Sequence, residues 1–523
     1  MAQTMKVPRR IPVPLLAALG TIAVLALVAL WLRSAPAVTG LADGDEITPA
    51  ALSDVQIVAG GAAERTEVLL DGQAVPVQRD GELLSPVGPE PAEGPHTLRV
   101  ESPRAIPLLD DDTEITFTVD ATPPELDVEP VTPVALDAPA EVRGVAVGAA
   151  TLSADGRPVE LAEDGTFLVP VPPGAIPVEL EARDAAGNAV AEQVQIPVLH
   201  PGMRAVHMTA HAWSAPSLRE PVLQLAREGR IDTVQLDIKD ESGEVGYLTQ
   251  VPLATEIGSA RDHYDVRAAL DEIHAAGLRA VGRVVAFRDP ILAEASWASG
   301  HRDRVLQNVD GNPWSGGYGQ YSFTNFANPE VRAYNVALAA EAAELGFDEI
   351  LYDYIRRPDG AISRMHIPGL TTTPEHAIAT FLKETRPVVH RHGALLGASV
   401  YGIAATRPTE IAQDIPAMSQ YADYVAPMVY PSHWGAGEYG VAAPERQPYD
   451  ITARSLADFA NLADESRTAV VPWLQAFSLR HTYGPAEVRA QIEAAEANGI
   501  SSFLLWNAAC RYDPEALEPI PPT

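Results

Sequence analysis

Read from the N-terminus, the spacing of apolar positions changes character twice. Residues 11–32, IPVPLLAALGTIAVLALVALWL, form an uncharged run of 22 residues behind Lys6, Arg9 and Arg10, with only Arg33 directly after it. That length spans a bilayer, and the basic flank predicts a cytoplasmic N-terminus with the remaining chain outside. Ala35-Pro36-Ala37 supplies a cleavage-like site, so removal as a signal peptide is the alternative. The run exceeds the roughly 7–15 apolar residues of a signal peptide, which favours an uncleaved anchor. From Leu41 to Pro197 the pattern becomes short period-two alternations, such as TEVLLDGQAVPV, TEITFTVDATPP and GTFLVPVPPG, with Gly, Pro and Asp between them. Such runs predict antiparallel β-sandwiches. LLDGQAVPV and LSADGRPVEL read as equivalent hairpins turning on Asp-Gly, and Pro123-Pro124 marks a junction between two units.

Beyond Arg204 apolar strands alternate with helical patterns. In VRAALDEIHAAG, Val266, Leu270 and Ile273 recur at helical spacing between a capping Asp265 and a closing Gly277. Asn328 caps a second such helix, Pro329 suits its first position, and Val331, Tyr334, Leu338, Ala342 and Leu345 form its buried stripe. Strands are expected at 205–213, 233–240, 279–287, 349–355, 395–402, 424–430, 469–477 and 501–507. Eight strands alternating with helices fit a (β/α)8 TIM barrel, with a doubly wound open sheet as the alternative. The expected organisation is a cytoplasmic tip and membrane anchor over 1–37, β-sandwiches over 38–121 and 122–199, the barrel over 203–512 and a tail over 513–523.

Charge narrows the partners. The chain carries 70 Asp and Glu against 37 Lys and Arg, a net −33; it repels nucleic acid, and no basic patch interleaved with aromatics argues otherwise. Cys510 is the single cysteine, so no intrachain disulfide forms and packing alone must stabilise the fold.

In a TIM barrel the working residues sit at the C-terminal ends of strands. Alternation groups Leu351, Asp353 and Ile355 on one face of the fourth strand, with Tyr352 and Tyr354 on the other. It groups Gln235, Asp237 and Lys239 in the second strand, Arg283, Val285 and Phe287 in the third, Met428 and Tyr430 in the sixth, Trp473 and Gln475 in the seventh, and His207 and His211 in the first. Carboxylates beside aromatics suit a sugar, whose apolar faces stack on rings while two carboxyl groups cleave the glycosidic bond. Candidate substrate-binding residues are His211, Lys239, Arg283, Trp314, Arg356, Tyr401, Tyr430, His433, Trp434, Trp473, Gln475, Trp506 and Asn507. Neither His433, His481 nor the His207/His211 pair shows metal-ligand spacing, and no GxSxG elbow or phosphate-binding glycine loop appears, so no metal and no cofactor is expected.

The stretches VQLDIKDESGEVGY (234–247), NVDGNPW (308–314), NPEVRAYNVALAAEAAELGFDEILYDYIRRPDG (328–360), GASVYGIAAT (397–406), YVAPMVYPSHW (424–434) and VPWLQAF (471–477) resemble a bacterial glycoside hydrolase-like family of TIM-barrel domains over about residues 203–512. The ending ARDAAGNAV is similar to the last hairpin of bacterial extracellular immunoglobulin-like domains. The barrel resemblance implies a carbohydrate substrate and places Asp353 where amylase- and alpha-galactosidase-type relatives keep their nucleophile. The positive charge of Arg356, three residues on, is expected to support Asp353 by keeping it ionised. Two departures stand out. Relatives commonly read DYIRFP after the fourth strand, where this chain has Arg356-Arg357-Pro358, and they often carry an acid in the fifth strand, where this chain has Ser399. Glu438 in the loop after the sixth strand is then the leading proton donor, with Asp237 and Asp240 behind it. The expectation is a membrane-anchored extracytoplasmic glycoside hydrolase acting on a cell-surface or extracellular polysaccharide. The alternatives are a non-catalytic barrel binding glycan or cell wall, and a purely structural surface protein.

Overall fold

A computed structural model describes residues 36–59, 63–102, 111–174, 177–464 and 468–520. The expected anchor at 11–32 lies outside these residues, and among the described ones no helix is long and apolar enough to cross a membrane. The chain divides into two compact units, one holding most of the region up to Val194 and the other Gln195–Thr523 with the segments Pro130–Glu141 and Pro170–Pro177.

The first unit is rich in sheet. Residues 37–119 contribute a four-stranded and a five-stranded sheet around a core that includes Ile57, Val68, Leu98, Val100 and Phe117. Residues 125–194 form a three-stranded and a four-stranded sheet. Both Asp-Gly turns form as expected. Asp71-Gly72 and Asp155-Gly156 each have two consecutive positive φ angles, the geometry whose twist matches a two-residue hairpin, and they join Leu70 to Gln73 and Ala154 to Arg157.

In the second unit eight strands close a barrel: β1 (Arg204–Met208), β2 (Thr233–Lys239), β3 (Arg279–Val285), β4 (Glu349–Asp353), β5 (Leu395–Tyr401), β6 (Tyr424–Met428), β7 (Ala469–Val470 and Trp473–Gln475) and β8 (Phe503–Trp506). Each pairs in parallel with its sequence neighbours, and β8 pairs with β1. That closure decides against the open sheet. Pro472 interrupts β7, since proline has no N–H to give the ladder. The two expected helices run over Val266–Ala275 and Pro329–Leu345, capped by Asp265 and Asn328, and Gly346 ends the second at φ 114°.

One side of each strand faces the helices, where Ile238, Ile350, Tyr352 and Leu396 pack with Leu338 and Phe381. The other fills the barrel with Ala205, Val281, Leu351, Tyr424, Ala426, Val471 and Leu504. Beneath them the N-terminal end is closed by the fully buried Glu349, which accepts a hydrogen bond from Arg279 and lies 3.4 Å from His200 Nε2. The interior is full. A Cβ on Gly397 would lie 2.1 Å from the Tyr424 ring, so only glycine lets that tyrosine occupy the axis. Gly397→Ala should therefore destabilise the barrel by about 1–3 kcal/mol, read as a lower urea midpoint at unchanged slope; an unshifted midpoint would contradict this packing.

Candidate active site

Arg283 organises the C-terminal mouth. β3 points its side chain into the barrel, where it is 1 % exposed and meets three carboxylates. Nη1 donates to Asp237 Oδ1 at 3.0 Å, Nε and Nη2 donate to Asp353 Oδ2 at 2.9 and 2.7 Å, and Nη2 also donates to Glu241. Asp237 stands on β2 and Asp353 ends β4, so adjacent strands bring the cluster together. Because one nitrogen serves both Glu241 and Asp353, the bonded oxygens of those two carboxylates are no farther apart than two hydrogen bonds laid end to end.

The environment splits the acids. Burial pushes Asp237 up to about 7, against the pull of Arg283. Burial also raises Glu241, but Arg283 more than offsets this and holds that carboxyl down to about 2. The remaining proton of this pair therefore resides on Asp237. Its Oδ1 also accepts from Gln235 at 3.1 Å, and Gln235 Oε1 lies 2.6 Å from His207 Nδ1. His207 is stacked 4.0 Å from Trp506. Burial and then Arg283 push it down to about 3, leaving a neutral imidazole whose Nδ1–H donates to the amide oxygen.

Above this cluster opens a cavity of about 280 Å³ lined by Glu241, Arg283 and Asp353 and by the aromatics Tyr318, Tyr354, Tyr401, Tyr430, His433, Trp434, Trp473 and Trp506. An adjoining cleft shares Tyr430, His433 and Trp506 and reaches Asn507. Ser399, at the position where an acid was expected, accepts from Trp473 Nε1 at 3.0 Å and so fixes one wall. The charged groups come from β2 to β4 and the segments after them. Most of the aromatic wall comes from β5 to β8.

The structure moves several expected residues away from the mouth. Lys239 sits beyond a register shift in β2 and is turned outward, fully buried, bonding Asp289 Oδ2 at 2.7 Å and Asn335 Oδ1 at 2.9 Å. Asp240 caps a turn, accepting from Ser242 and Glu244 N–H groups. Glu438 pairs with Arg407 at 3.2 Å, both 37 % exposed, away from the cavity lining. The first strand stops at Met208 because Thr209 caps a helix, Ala210–Ser214, which carries His211 off the barrel face. Trp314 is buried against Gly360. Gln475 is buried too, and its Oε1 accepts from Ser432 N–H at 2.9 Å, holding the loop that carries His433.

At the end of β4 the alternation fails. Tyr354 has φ 50°, a left-handed conformation costly for a bulky residue, which turns its ring toward the mouth beside Asp353 while Ile355 joins the outer core. Arg356 does not reach Asp353. Its guanidinium lies 5.1–5.8 Å from the centroids of Tyr318, Phe323, Tyr354 and Tyr401, and it pairs with Asp359 at 3.7 Å. Arg283, not Arg356, is the partner of Asp353. Arg357 is held by backbone carbonyls of Gly360 and Thr409. Glu241 is the residue the sequence reading passed over, although the period-two series Gln235, Asp237, Lys239 continues to it.

No curated protein matches the chain. Among solved structures, a hypothetical protein from Ruminiclostridium thermocellum is 28 % identical over 37 % of this chain and 96 % of its own, with a TM-score of 0.33. The PgaB (BpsB) glycoside hydrolase domain from Bordetella bronchiseptica is 15 % identical over 59 % of this chain and 95 % of its own, with a TM-score of 0.46. The alpha-galactosidase TtGalA from Thermus thermophilus is 16 % identical over 84 % and 90 %, with a TM-score of 0.38. A family profile matches residues 205–512, the whole barrel. With more than half its length inside that match, the chain belongs to the family described as "Putative glycosyl hydrolase domain".

Proposed function

We propose that the barrel hydrolyses glycosidic bonds of a cell-surface or extracellular polysaccharide with retention of configuration. The observation that carries this is Arg283 Nη2, shared by Glu241 and Asp353. Retaining enzymes set their two carboxyl groups about 5–5.5 Å apart, whereas inverting ones leave room for a water between them. Asp353 attacks the anomeric carbon as the bond to the leaving oxygen breaks. The single proton of the Asp237–Glu241 pair passes by way of Glu241, which faces the cavity, to that oxygen and leaves both acids ionised. A water then attacks the glycosyl ester, loses its proton to Glu241 and frees Asp353. The aromatic wall stacks the sugars, and the adjoining cleft to Asn507 gives room for further units of a chain.

The anchor at 11–32 would tether an extracytoplasmic barrel, with signal cleavage as the alternative, and immunoglobulin-like sandwiches at 38–121 and 122–199 would follow it along the chain. Ser399, neutral where an acid was expected, favours a second reading, a barrel that holds glycan without cleaving it.

The test is hydrolysis of a polysaccharide panel by the full chain, with product configuration and a pH profile. The product should keep its anomeric configuration. Since the donor pair must hold a proton, kcat/KM should fall as pH rises through about 7, where Asp237 loses it. An inverted product would refute the shared-nitrogen geometry as the catalytic one, and saturable binding without any product would establish the second reading.

A further inference from the structure

The segment that carries Glu241 carries a second acid, Glu244, which does not line the cavity. Glu244 Oε1 accepts from Arg261 Nε at 2.7 Å, and its other oxygen, Oε2, stands 3.5 Å from His263 Nε2. That nitrogen is buried and has no hydrogen-bond partner among the described residues. The ring of His211 lies 3.9 Å from that of His263, centroid to centroid. One ligand atom from each of the three residues lies within 4.8 Å of the other two.

Backbone contacts bring the three together. Val245 N–H donates to Ser259, Arg261 N–H to Val245 and His263 N–H to Gly246, which lays the two segments side by side. The helix Ala210–Ser214 presses onto them at Gly246, where a Cβ would come within 2.5 Å of Ala210 Cβ. His211, absent from the catalytic cavity, is thereby delivered here.

We propose that His211, Glu244 and His263 form a binding site for a transition-metal dication of the zinc class. Two imidazoles and a carboxylate are a donor set such ions prefer over calcium or magnesium. A tetrahedral ion with bonds near 2.0–2.1 Å holds its ligand atoms about 3.3–3.4 Å apart, and the His263–Glu244 separation is already close to that. The ion would satisfy the orphaned Nε2, whose burial without a partner is otherwise a cost. Arg261 occupies the oxygen the metal does not need and orients the carboxylate, as outer partners of metal ligands do. A water completes the fourth position on the exposed side, where His211 lies. The ion would clip the helix after β1 to the segment after β2, three residues from Glu241, whether or not the barrel cleaves a glycan.

The test is calorimetric titration of EDTA-treated, desalted full-length chain with zinc chloride, alongside the visible spectrum of the cobalt(II) form. One saturable equivalent and the intense visible bands of low-coordinate cobalt are expected. Glu244→Gln, which keeps the shape of the side chain, and His263→Ala should each weaken binding at least tenfold and bleach the bands, while His301→Ala, at an exposed position elsewhere, should change neither. Wild-type protein that takes up no saturable zinc overturns the proposal. So does a Glu244→Gln variant that binds as tightly as wild type.

Discussion

Asp353→Asn should lower kcat/KM by on the order of 10³-fold or more, the scale of losing a reacting group, while leaving the barrel folded. The asparagine oxygen can still accept the Tyr354 N–H that Asp353 Oδ1 accepts at 2.7 Å, and Arg283 keeps Asp237 and Glu241 as partners. The amide NH2 then replaces the oxygen that accepts from Arg283 Nε and Nη2, so two charge-assisted hydrogen bonds are lost and the stability should fall by about 2–4 kcal/mol. Truncation to Asp353→Ala, with azide supplied as an external nucleophile, should restore turnover and give a glycosyl azide of inverted configuration, because azide replaces the missing carboxylate on the same face. A folded Asp353→Asn variant with wild-type turnover would remove Asp353 from the chemistry and leave it as a partner of Arg283.

Arg283→Met should be the most destabilising single change at the mouth. It leaves Asp237, Glu241 and Asp353 close together with no countercharge, and breaking a buried pair from one side costs about 3–5 kcal/mol. The pH dependence has a definite sign. Burial raises Asp237 and Glu241, and Arg283 opposes it in both. Without the guanidinium Asp237 moves further above its unfolded value, and Glu241 loses the pull that holds it below its own and rises with burial. A raised acid binds its proton more tightly in the folded chain, so its contribution is present at low pH and lost as pH rises. Urea unfolding should therefore show a small deficit near pH 5 and a large one near pH 8. A variant as stable as wild type at pH 8 would mean that the three acids do not depend on Arg283.

The frame of this unit was legible because its signals are local and repeated. Capping Asp265 and Asn328, the apolar stripe from Val331 to Leu345 and the eight apolar strands are short-range patterns, and the barrel follows from their order. Asp353, Asp237 and Arg283 were legible as inward-facing ends of adjacent strands. The misplacements arise where a single backbone event resets the phase. A register shift after Asp237 sends Lys239 outward, a left-handed residue at Tyr354 swaps the faces of Tyr354 and Ile355, and a threonine cap ends β1 two residues before His211. None of these has a signature in apolar spacing. Glu438 and Asp240 illustrate a different limit, since a loop carboxylate reads the same whether it faces a cavity, a neighbouring arginine or its own turn.

The split of the mouth between a charged half from β2 to β4 and a mostly aromatic half from β5 to β8 has a consequence for descent. Substitutions in the later half can reshape what is held without disturbing the group of acids around Arg283, and the earlier half can stay fixed while its tenants change. Ser399, which anchors Trp473 through one hydrogen bond, stands on the aromatic side of that divide, so a change there would move a wall and leave the charges around Arg283 in place.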